Sequence, residues 1–492
     1  MKYPLTTLLL MAWISLLSHS AAAQSLKPLQ AAVNQLQQSA DMRSASWGVA
    51  VVDVSSGKLL LKQDGHRALS TASTMKAITT ATALAVLGPD FRFETQLAID
   101  GKLENGTLRG NLYIRGDGDP TLGSDRMGEE YELNRVLNTW VEAVKAAGIE
   151  RIEGAVIADA TIFTSQLTPS EWPWEDMGNY YGAGASGLNI QENMYRLDFR
   201  SGRTGTLTEV LRTEPAMEDL TFVNEVLAGP PGSGDNAYIF GAPFTYVRYL
   251  RGTIPPNRGF FSIKGSMADP ALTTARWLHQ ELNQCGVEVV GTYTSLRTLW
   301  AEDDIPYTTP REIHSFHSAP LRDIVGETNR ESINLYAEAL AKRVAVALGR
   351  EGSTEAAIDA IEDYWRRQGV DVQGMSLRDG SGLSPNNAVS ARQLAFILAK
   401  TRQSNIGEEF DRSLPVAGRS GTLSKMLKGT AAEGNLRAKS GYISGVRSYA
   451  GYVDLPDGRT VAFAMLINHC SCGASSMRRK LEQLMAALAQ GG

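Results

Sequence analysis

A serine and a lysine three residues apart, Ser73 and Lys76, could together carry out nucleophilic catalysis. They open an Ala-rich apolar run that follows a possible hydroxyl N-cap and stops at Gly88-Pro89, a pattern that predicts a helix from Thr71. Residues three apart share a helix face, so the amine can reach the hydroxyl. An uncharged lysine can accept the serine proton, and the free N–H groups at a helix start favour nearby negative charge.

The Ser-x-x-Lys spacing is weak on its own, because roughly two copies are expected by chance in a chain of this length. A second copy, Ser55 and Lys58, lies between two alternating apolar runs, where Ser-Gly predicts a hairpin turn. The assignment of Ser73 therefore depends on other parts of the chain.

Two further motifs supply that support. Ser332 and Asn334 open a helical stretch, and Lys439-Ser440-Gly441 precedes a strand-like run. Taken singly, Ser332 could be a helix N-cap, Asn334 a solvated first-turn residue and the lysine segment an ordinary loop. In this order, however, SxxK, SxN and K[ST]G resemble the motif set of penicillin-interacting serine enzymes.

Such a site needs all three motifs for physical reasons. A second positive charge at Lys439 would keep Lys76 deprotonated and attract a substrate carboxylate. Ser332 could relay a proton, and Asn334 could orient a substrate amide.

Over nearly its whole length after the N-terminal leader, the chain resembles the D-alanyl-D-alanine carboxypeptidase/endopeptidase family, the low-molecular-mass class C penicillin-binding proteins. About 250 residues separate Ser73 from Ser332, as the large inserted domains of that family require. The supporting motifs are GDGDPTL (116–122), DATIF (159–163), WPWEDM (172–177), SAPL (318–321), RDGSGLS (378–384) and LPVAGRSGTL (414–423).

The resemblance implies an α+β fold. It would have a penicillin-binding/serine β-lactamase-like catalytic domain, an antiparallel sheet flanked by helices plus a helical subdomain, with large inserted α/β and β-rich domains. The predicted divisions are a signal peptide (1–23), a discontinuous catalytic domain (24–90 and 310–492), an inserted domain II (91–192 and 259–309) and a nested β-rich domain III (193–258).

The local patterns agree with a discontinuous domain. Alternating runs at both ends of the chain predict two hairpins that build one sheet, and terminal helices should flank it. A further single strand is expected at 151–159. The expected hairpin strands are 46–54 with 58–62 and 446–455 with 459–468, and the expected terminal helices are 26–40 and 474–488.

The reaction that the resemblance implies is acyl transfer on peptidoglycan stem peptides. Ser73 would form an acyl-enzyme, release terminal D-Ala as a carboxypeptidase and cleave D-Ala-diaminopimelate cross-links as an endopeptidase. The implied partners are these stem peptides and β-lactam antibiotics, which would acylate Ser73. No cofactor or metal is expected.

Two subsites also follow from the resemblance. Asp159 and Phe163 would inherit a subsite for the diaminopimelate side chain. The backbone N–H groups of Ser73 and Tyr442 would form the oxyanion hole, worth a few kcal/mol in the transition state. The family usually has KTGS where this chain has Lys439-Ser440-Gly441-Tyr442, so a phenol replaces a small hydroxyl that is expected to help bind the substrate carboxylate.

Composition is that of an ordinary globular protein. The 492 residues are 43% hydrophobic and 21% charged, with a net charge of −5, which leaves room for two or three domains and indicates no nucleic acid binding. A basic residue, an apolar core and Ala21-Ala22-Ala23 predict a signal peptide cleaved after Ala23 and a periplasmic protein with no integral membrane segment.

The three cysteines cannot all pair within one chain. A Cys470-Cys472 disulfide would close a very small ring, and Cys285 falls in an amphipathic helix where a buried free thiol is expected. We therefore expect no structural disulfide and no metal site.

Two rival functions belong to other classes. A serine β-lactamase needs a dedicated deacylation base, yet no ExxLN-like segment lies between Asn334 and Lys439. A non-catalytic murein-binding or penicillin-binding protein is consistent with Tyr442 but not with the intact motif residues.

Overall fold

The computed structural model describes residues 26–304 and 308–491, and its chain forms two compact units. The predicted signal peptide (1–23) lies outside the described residues, and the three-domain division stays a prediction. Of the described residues, the first unit comprises 26–85, 326–332 and 361–491, and the second comprises 86–304, 308–325 and 333–360.

Twelve α-helices are present in the described part of the chain. They are α1 (Lys27–Gln38), α2 (Met75–Leu87), α3 (Leu133–Ala146), α4 (Trp174–Met177), α5 (Pro270–Gln284), α6 (Leu296–Ala301), α7 (Leu321–Glu331), α8 (Asn334–Ala347), α9 (Thr354–Arg367), α10 (Ala391–Gln403), α11 (Gly407–Ser413) and α12 (Ala474–Ala489).

The described residues also form twenty-three β-strands. They are β1 (Ser46–Asp53), β2 (Leu59–Gln63), β3 (Ala68–Leu69), β4 (Glu94–Ile99), β5 (Lys102–Glu104), β6 (Thr107–Arg109), β7 (Leu112–Arg115), β8 (Arg151–Ile152), β9 (Val156–Asp159), β10 (Met194–Arg200), β11 (Glu209–Glu214), β12 (Thr221–Asn224), β13 (Leu227–Ala228), β14 (Asn236–Phe240), β15 (Val247–Ile254), β16 (Phe261–Ser266), β17 (Glu288–Val289), β18 (Tyr293–Ser295), β19 (Arg311–His317), β20 (Val389–Ser390), β21 (Arg437–Ile443), β22 (Val446–Asp454) and β23 (Thr460–Asn468).

The first unit is built on a five-stranded antiparallel sheet in the order β2-β1-β23-β22-β21. The pairing of β1 with β23 joins the two ends of the chain, which confirms the prediction that they form one sheet. Both terminal helices are also confirmed, as α1 and α12. The strand β21 forms one edge of the sheet.

Both faces of this sheet are covered, because β1, β22 and β23 are buried along nearly their whole length. On one face α1 and α12 pack against each other and share a core with Val49, Val51, Phe463 and Met465. On the other face α10 packs against β1 and β23, and the hydroxyl of Tyr452 donates to a carbonyl of α10. Continuous apolar strands are what a sheet buried on two faces requires.

The second unit contains four sheets. Two of them, β18-β9-β7-β4-β19 and β17-β8-β6-β5, mix parallel and antiparallel pairs and share an apolar core with α3 and α5. The other two are β11-β10-β16 and a sheet in which β12, β13 and β14 all pair with β15. Residues 194–266 are thus rich in strands.

The single strand predicted at 151–159 is wrong. The segment breaks after Ile152, and its two halves, β8 and β9, join different sheets. The break falls at Gly154, where a Cβ atom would overlap the carbonyl oxygen of Gly110. Only glycine allows this close backbone approach, which local alternation does not reveal.

The expectation of no structural disulfide is also wrong. Cys470 and Cys472 are joined, with Cα atoms 5.1 Å apart, in the segment between β23 and α12. A bond between such near neighbours is possible because this separation lies within the range that disulfides span. Cys285 is a free thiol, as predicted, but it is only partly buried and follows the last residue of α5. Among the described helices, none has the length and apolar character needed to cross a bilayer.

Candidate active site

Ser73 occupies a strained turn just before α2. Residues Ala72–Thr74 form a 3₁₀ turn, Ala72 has a left-handed φ of 43°, and the α-helix begins only at Met75. The predicted helix is confirmed and ends before Gly88 as expected, but its predicted start at Thr71 is wrong because of the left-handed Ala72. The predicted proximity is nevertheless confirmed: Lys76 Nζ lies 3.0 Å from Ser73 Oγ.

The side chain of Lys76 is fully buried and fixed at its tip. Its Nζ also donates to the carbonyl oxygen of Ser381, at 2.7 Å. The hydroxyl of Thr79, one turn further along α2, donates to the carbonyl oxygen of Gly380 at 2.6 Å. The loop around 380–382 therefore holds the start of α2 and orients the amine toward Ser73.

Gly382 lets this loop lie against the turn that carries Ser73. It has φ 82°, and a Cβ atom there would overlap the carbonyl oxygen of Ala72 and lie 3.0 Å from Cβ of Met75. We expect Gly382→Ala to displace Ser73 and to reduce the rate of penicillin acylation by roughly 100-fold, as small misplacements of reacting groups do. Stopped-flow or gel-based labelling would measure this rate.

Gly374→Ala provides a matched control. Gly374 has a similar φ of 75°, but no atom of the described chain would lie within 4 Å of its added Cβ. This variant should lose about 1–2 kcal/mol of stability from backbone strain and keep its acylation rate. Equal acylation rates in the two variants would contradict the role of the loop.

Lys439 and Ser332 form a second pair of contacts. Lys439 Nζ lies 2.9 Å from Ser332 Oγ and 2.8 Å from the carbonyl oxygen of Ser440. The Lys439-Ser440-Gly441 motif precedes β22, as predicted, but it also lies inside β21, a strand that the sequence did not predict. Ser332 stands in the break between α7 and α8 with a left-handed φ of 62°, and it is not a helix N-cap.

The two buried ammonium groups act on each other. Lys439 is fully buried, and its pKa is held well below the ordinary lysine value, first by burial and then by the charge of Lys76, while Glu331 acts in the opposite direction. Repulsion between the ammonium groups is mutual, so it favours loss of a proton from the pair. The sequence predicts that a charged Lys439 keeps Lys76 deprotonated. The lowered pKa of Lys439 shows that the two groups affect each other, and the deprotonation of Lys76 stays a prediction.

The face of β21 that carries Gly441 lies against the turn that carries Ser73. A Cβ atom on Gly441 would lie 2.7 Å from the carbonyl oxygen of Thr71 and 3.0 Å from the backbone nitrogen of Ser73. Ala438 N–H donates to Pro415, which is not part of the sheet, so alternate N–H groups of β21 point away from β22. The N–H of Tyr442 shares that direction and faces the open edge.

Ser73, Ser332 and Ser440 line a cleft of about 260 Å³ in the first unit. Ser440 Oγ lies 2.8 Å from Thr422 Oγ1, which belongs to the 414–423 motif. The sequence alone predicted no role for that motif, and it did not indicate the two arginines of the cleft. The lining residues are Ser73, Ser332, Thr422, Met426, Ser440, Tyr442, Arg447, Tyr449 and Arg478.

The other three predicted site residues belong to the second unit. Asn334 is the first residue of α8, and its side-chain amide donates to the carbonyl oxygen of Tyr181 at 2.7 Å. The carboxylate of Asp159 accepts hydrogen bonds from the backbone N–H and the hydroxyl of Thr161. Its Oδ2 lies 3.5 Å from Nε of Arg115.

Phe163 is almost fully buried, with 3% of its surface exposed. It lines a cavity of about 280 Å³ in the second unit, together with Ile162, Phe244 and Trp300. Its ring lies against Gly118, where a Cβ atom would overlap it, and the Nζ of Lys342 lies 5.8 Å from the ring centroid.

Lys342 should make the stability of the second unit depend on pH. Its buried Nζ donates to the carbonyl oxygens of Gln166 and Ala185, and burial lowers its pKa from 10.5 to about 8. Between these values the unfolded chain binds more protons than the folded one, so stability rises with pH. We expect the wild type to gain about 3 kcal/mol relative to Lys342→Met between pH 7.5 and 10.5. Urea unfolding at both pH values would measure it, and a difference that does not change with pH would contradict it.

Comparisons with known proteins identify the family of the chain. A sequence model of the D-Ala-D-Ala carboxypeptidase 3 (S13) family matches residues 29–490. A D-alanyl-D-alanine carboxypeptidase from an Actinomadura species is 30% identical over 463 residues, which cover 91% of this chain and 82% of the relative. The D-alanyl-D-alanine carboxypeptidase DacB of Haemophilus influenzae is 25% identical over 445 residues, 89% of this chain and 88% of the relative.

The fold is also shared with a solved structure. The crystal structure of penicillin binding protein 4 from Haemophilus influenzae superposes with a TM-score of 0.78 at 23% identity, covering 93% of this chain and 98% of that one. This likeness confirms the predicted α+β fold.

Proposed function

Because the chain belongs to the D-Ala-D-Ala carboxypeptidase 3 (S13) family, we propose that it removes terminal D-Ala from peptidoglycan stem peptides through an acyl-enzyme on Ser73. The observation that carries this proposal is the 3.0 Å contact between Lys76 Nζ and Ser73 Oγ, beside the pair formed by Ser332 and Lys439. A chance Ser-x-x-Lys sequence would not bring two further motifs to the same cleft.

Acylation begins when a neutral Lys76 accepts the hydroxyl proton of Ser73. The oxygen bonds to the carbonyl carbon of the penultimate D-Ala, and the backbone N–H groups of Ser73 and Tyr442 stabilise the oxyanion. The C–N bond then breaks, and the departing D-Ala amine receives a proton through Ser332, which Lys439 orients. Asn334 orients the substrate amide.

Deacylation returns the enzyme to its starting state. Water attacks the ester carbon and gives a proton to Lys76, and the C–O bond to Ser73 breaks with return of the proton to its oxygen. A β-lactam forms the same ester, but its amine stays tethered to the acyl group after the ring opens. The acylated enzyme is therefore long-lived, and Ser73 carries a stable label.

We extend the proposal to endopeptidase activity on cross-linked stem peptides. The scissile bond is again an amide of D-Ala, with the side-chain amine of diaminopimelate as the leaving group, so the same chemistry applies. The carboxylate of Asp159 would bind a diaminopimelate ammonium group, and Phe163 would line the same subsite. We propose a periplasmic location for this activity, which the predicted leader supports.

Fluorescent penicillin and purified muropeptides would test the proposal. The wild type should carry a label that survives denaturing electrophoresis, shorten pentapeptide monomers and convert dimers to monomers. Rapid loss of label would indicate a β-lactamase, and no label would indicate a murein-binding protein, so either result overturns the proposal. Shortened monomers with persisting dimers would overturn the endopeptidase extension alone.

A further inference from the structure

The cleft contains two arginines near the position where this chain departs from its family. Arg447 on β22 is directly opposite Tyr442 on β21, and Tyr449 is directly opposite Ser440. Residues paired in this way, and those two positions along, project from the same sheet face. Arg447 therefore lies on the same face as Ser440 and Tyr442, the residue found where a small hydroxyl is expected.

The two arginines differ in how their charge is balanced. Arg478 forms an ion pair with Glu482, 2.6 Å between Nε and the carboxylate. Among the described residues, no carboxylate pairs with Arg447, and its buried Nε has no hydrogen-bond partner. A buried donor without a partner is costly, so a ligand that supplies an acceptor would be favoured there.

Tyr442 holds this arginine in place. The guanidinium carbon of Arg447 lies 4.2 Å from the centroid of the Tyr442 ring, a cation–π contact. Tyr442 itself is 53% exposed, so the phenol lies on the solvent side of the pair. A stacked guanidinium keeps its planar donors directed sideways, which suits an incoming carboxylate.

Lys439 does not supply the positive charge that would bind a carboxylate. Its ammonium group is fully buried, is directed to Ser332 and the Ser440 carbonyl, and has a lowered pKa. The guanidinium of an arginine, in contrast, stays charged at all relevant pH values. Of the cations at the cleft, Arg447 is thus the one with both a permanent charge and no carboxylate partner.

We propose that Arg447, positioned by Tyr442, binds the C-terminal carboxylate of the stem peptide and the carboxylate of β-lactams, together with the hydroxyl of Ser440. This chain would use a stacked guanidinium where its family uses a second small hydroxyl. The inference rests on the proposed function, because it assumes that the substrate occupies this cleft. Arg447 touches the substrate away from the reacting bond and so determines specificity.

Paired substrates with and without the carboxylate give the most direct test. Hydrolysis of a peptide ending in D-Ala-D-Ala is compared with its C-terminal amide, and acylation by benzylpenicillin with its methyl ester. In Arg447→Gln, kcat/KM for the acid forms should fall roughly 10- to 100-fold, mostly through KM, with less than about threefold change for the amide and ester. Arg447→Lys should restore part of the loss because it keeps the charge.

Arg459→Gln is the matched control, since it removes an arginine at the turn between β22 and β23 that does not line the cleft and whose charge is already paired with Asp457. Its preference for acid forms should equal that of the wild type. If kcat/KM of Arg447→Gln falls equally for acid and neutral substrates, the role of Arg447 is purely structural. If kcat/KM of this variant equals that of the wild type for all four compounds, Tyr442 and Ser440 bind the carboxylate without Arg447. Either result overturns the inference. A wild type that reacts with none of the four compounds overturns the proposed function itself.

Discussion

Replacing Ser73 by alanine should abolish carboxypeptidase turnover, with a fall in kcat of roughly 10⁴-fold or more. The reason is that the proposed ester forms on Ser73 Oγ, and no oxygen remains at that position to attack the D-Ala carbonyl. Release of free D-Ala from a pentapeptide, followed by a coupled oxidase assay, would measure the loss. The fold should be kept, because the change removes one partly buried hydroxyl.

The chain supplies its own control for this experiment. Ser55 and Lys58 have the same spacing, but Ser55 lies in the exposed turn between β1 and β2 and Lys58 lies next to it. The hydroxyl of Ser55 donates a hydrogen bond to the carboxylate of Asp53. Ser55→Ala should turn over like the wild type. Residual turnover of Ser73→Ala within tenfold of the wild type would contradict the assignment of the nucleophile.

Replacing Lys76 by methionine should reduce the acylation rate by about 10²- to 10⁴-fold, the usual range for loss of a general base. Methionine has a similar length but cannot accept a proton, and it removes the hydrogen bond that Lys76 donates to the carbonyl oxygen of Ser381. The loss of this hydrogen bond should lower stability by about 1–3 kcal/mol without unfolding the protein. The second-order rate constant for benzylpenicillin would measure acylation, and thermal unfolding would measure stability.

Lys58→Met is the control for this second variant. Lys58 is exposed, so its loss should change neither the acylation rate nor the melting temperature. If Lys76→Met were acylated at the wild-type rate, another base would have to activate Ser73, and the proposed mechanism would be wrong.

The arrangement of the catalytic sheet could be predicted because its signals are local. Alternating apolar runs and a Pro-Asp-Gly turn define β22 and β23, and similar runs at 46–62 define the first hairpin. The contact between Ser73 and Lys76 was predicted for the same reason, since it needs only a three-residue spacing. Predictions of these features stay correct when the bounds of a helix or strand are wrong by a few residues.

Other features of the site arise from contacts between distant segments and could not be predicted. The left-handed Ala72 is held by the loop at Gly382, which lies some 300 residues away in sequence. The position of Arg447 in the cleft depends on the exact register of β21 with β22. The disulfide between Cys470 and Cys472 depends on a turn geometry that cysteine spacing alone does not specify.

The central claim is that Ser73 is the residue that becomes acylated, and peptide mapping by mass spectrometry tests it most directly. Full-length protein is incubated with benzylpenicillin, digested at low pH and analysed for the added mass. We predict one adduct per chain, on the peptide that contains Ser73, and none on the peptide that contains Ser55. An adduct at any other residue, or an unmodified Ser73 peptide after full loss of activity, would contradict the account.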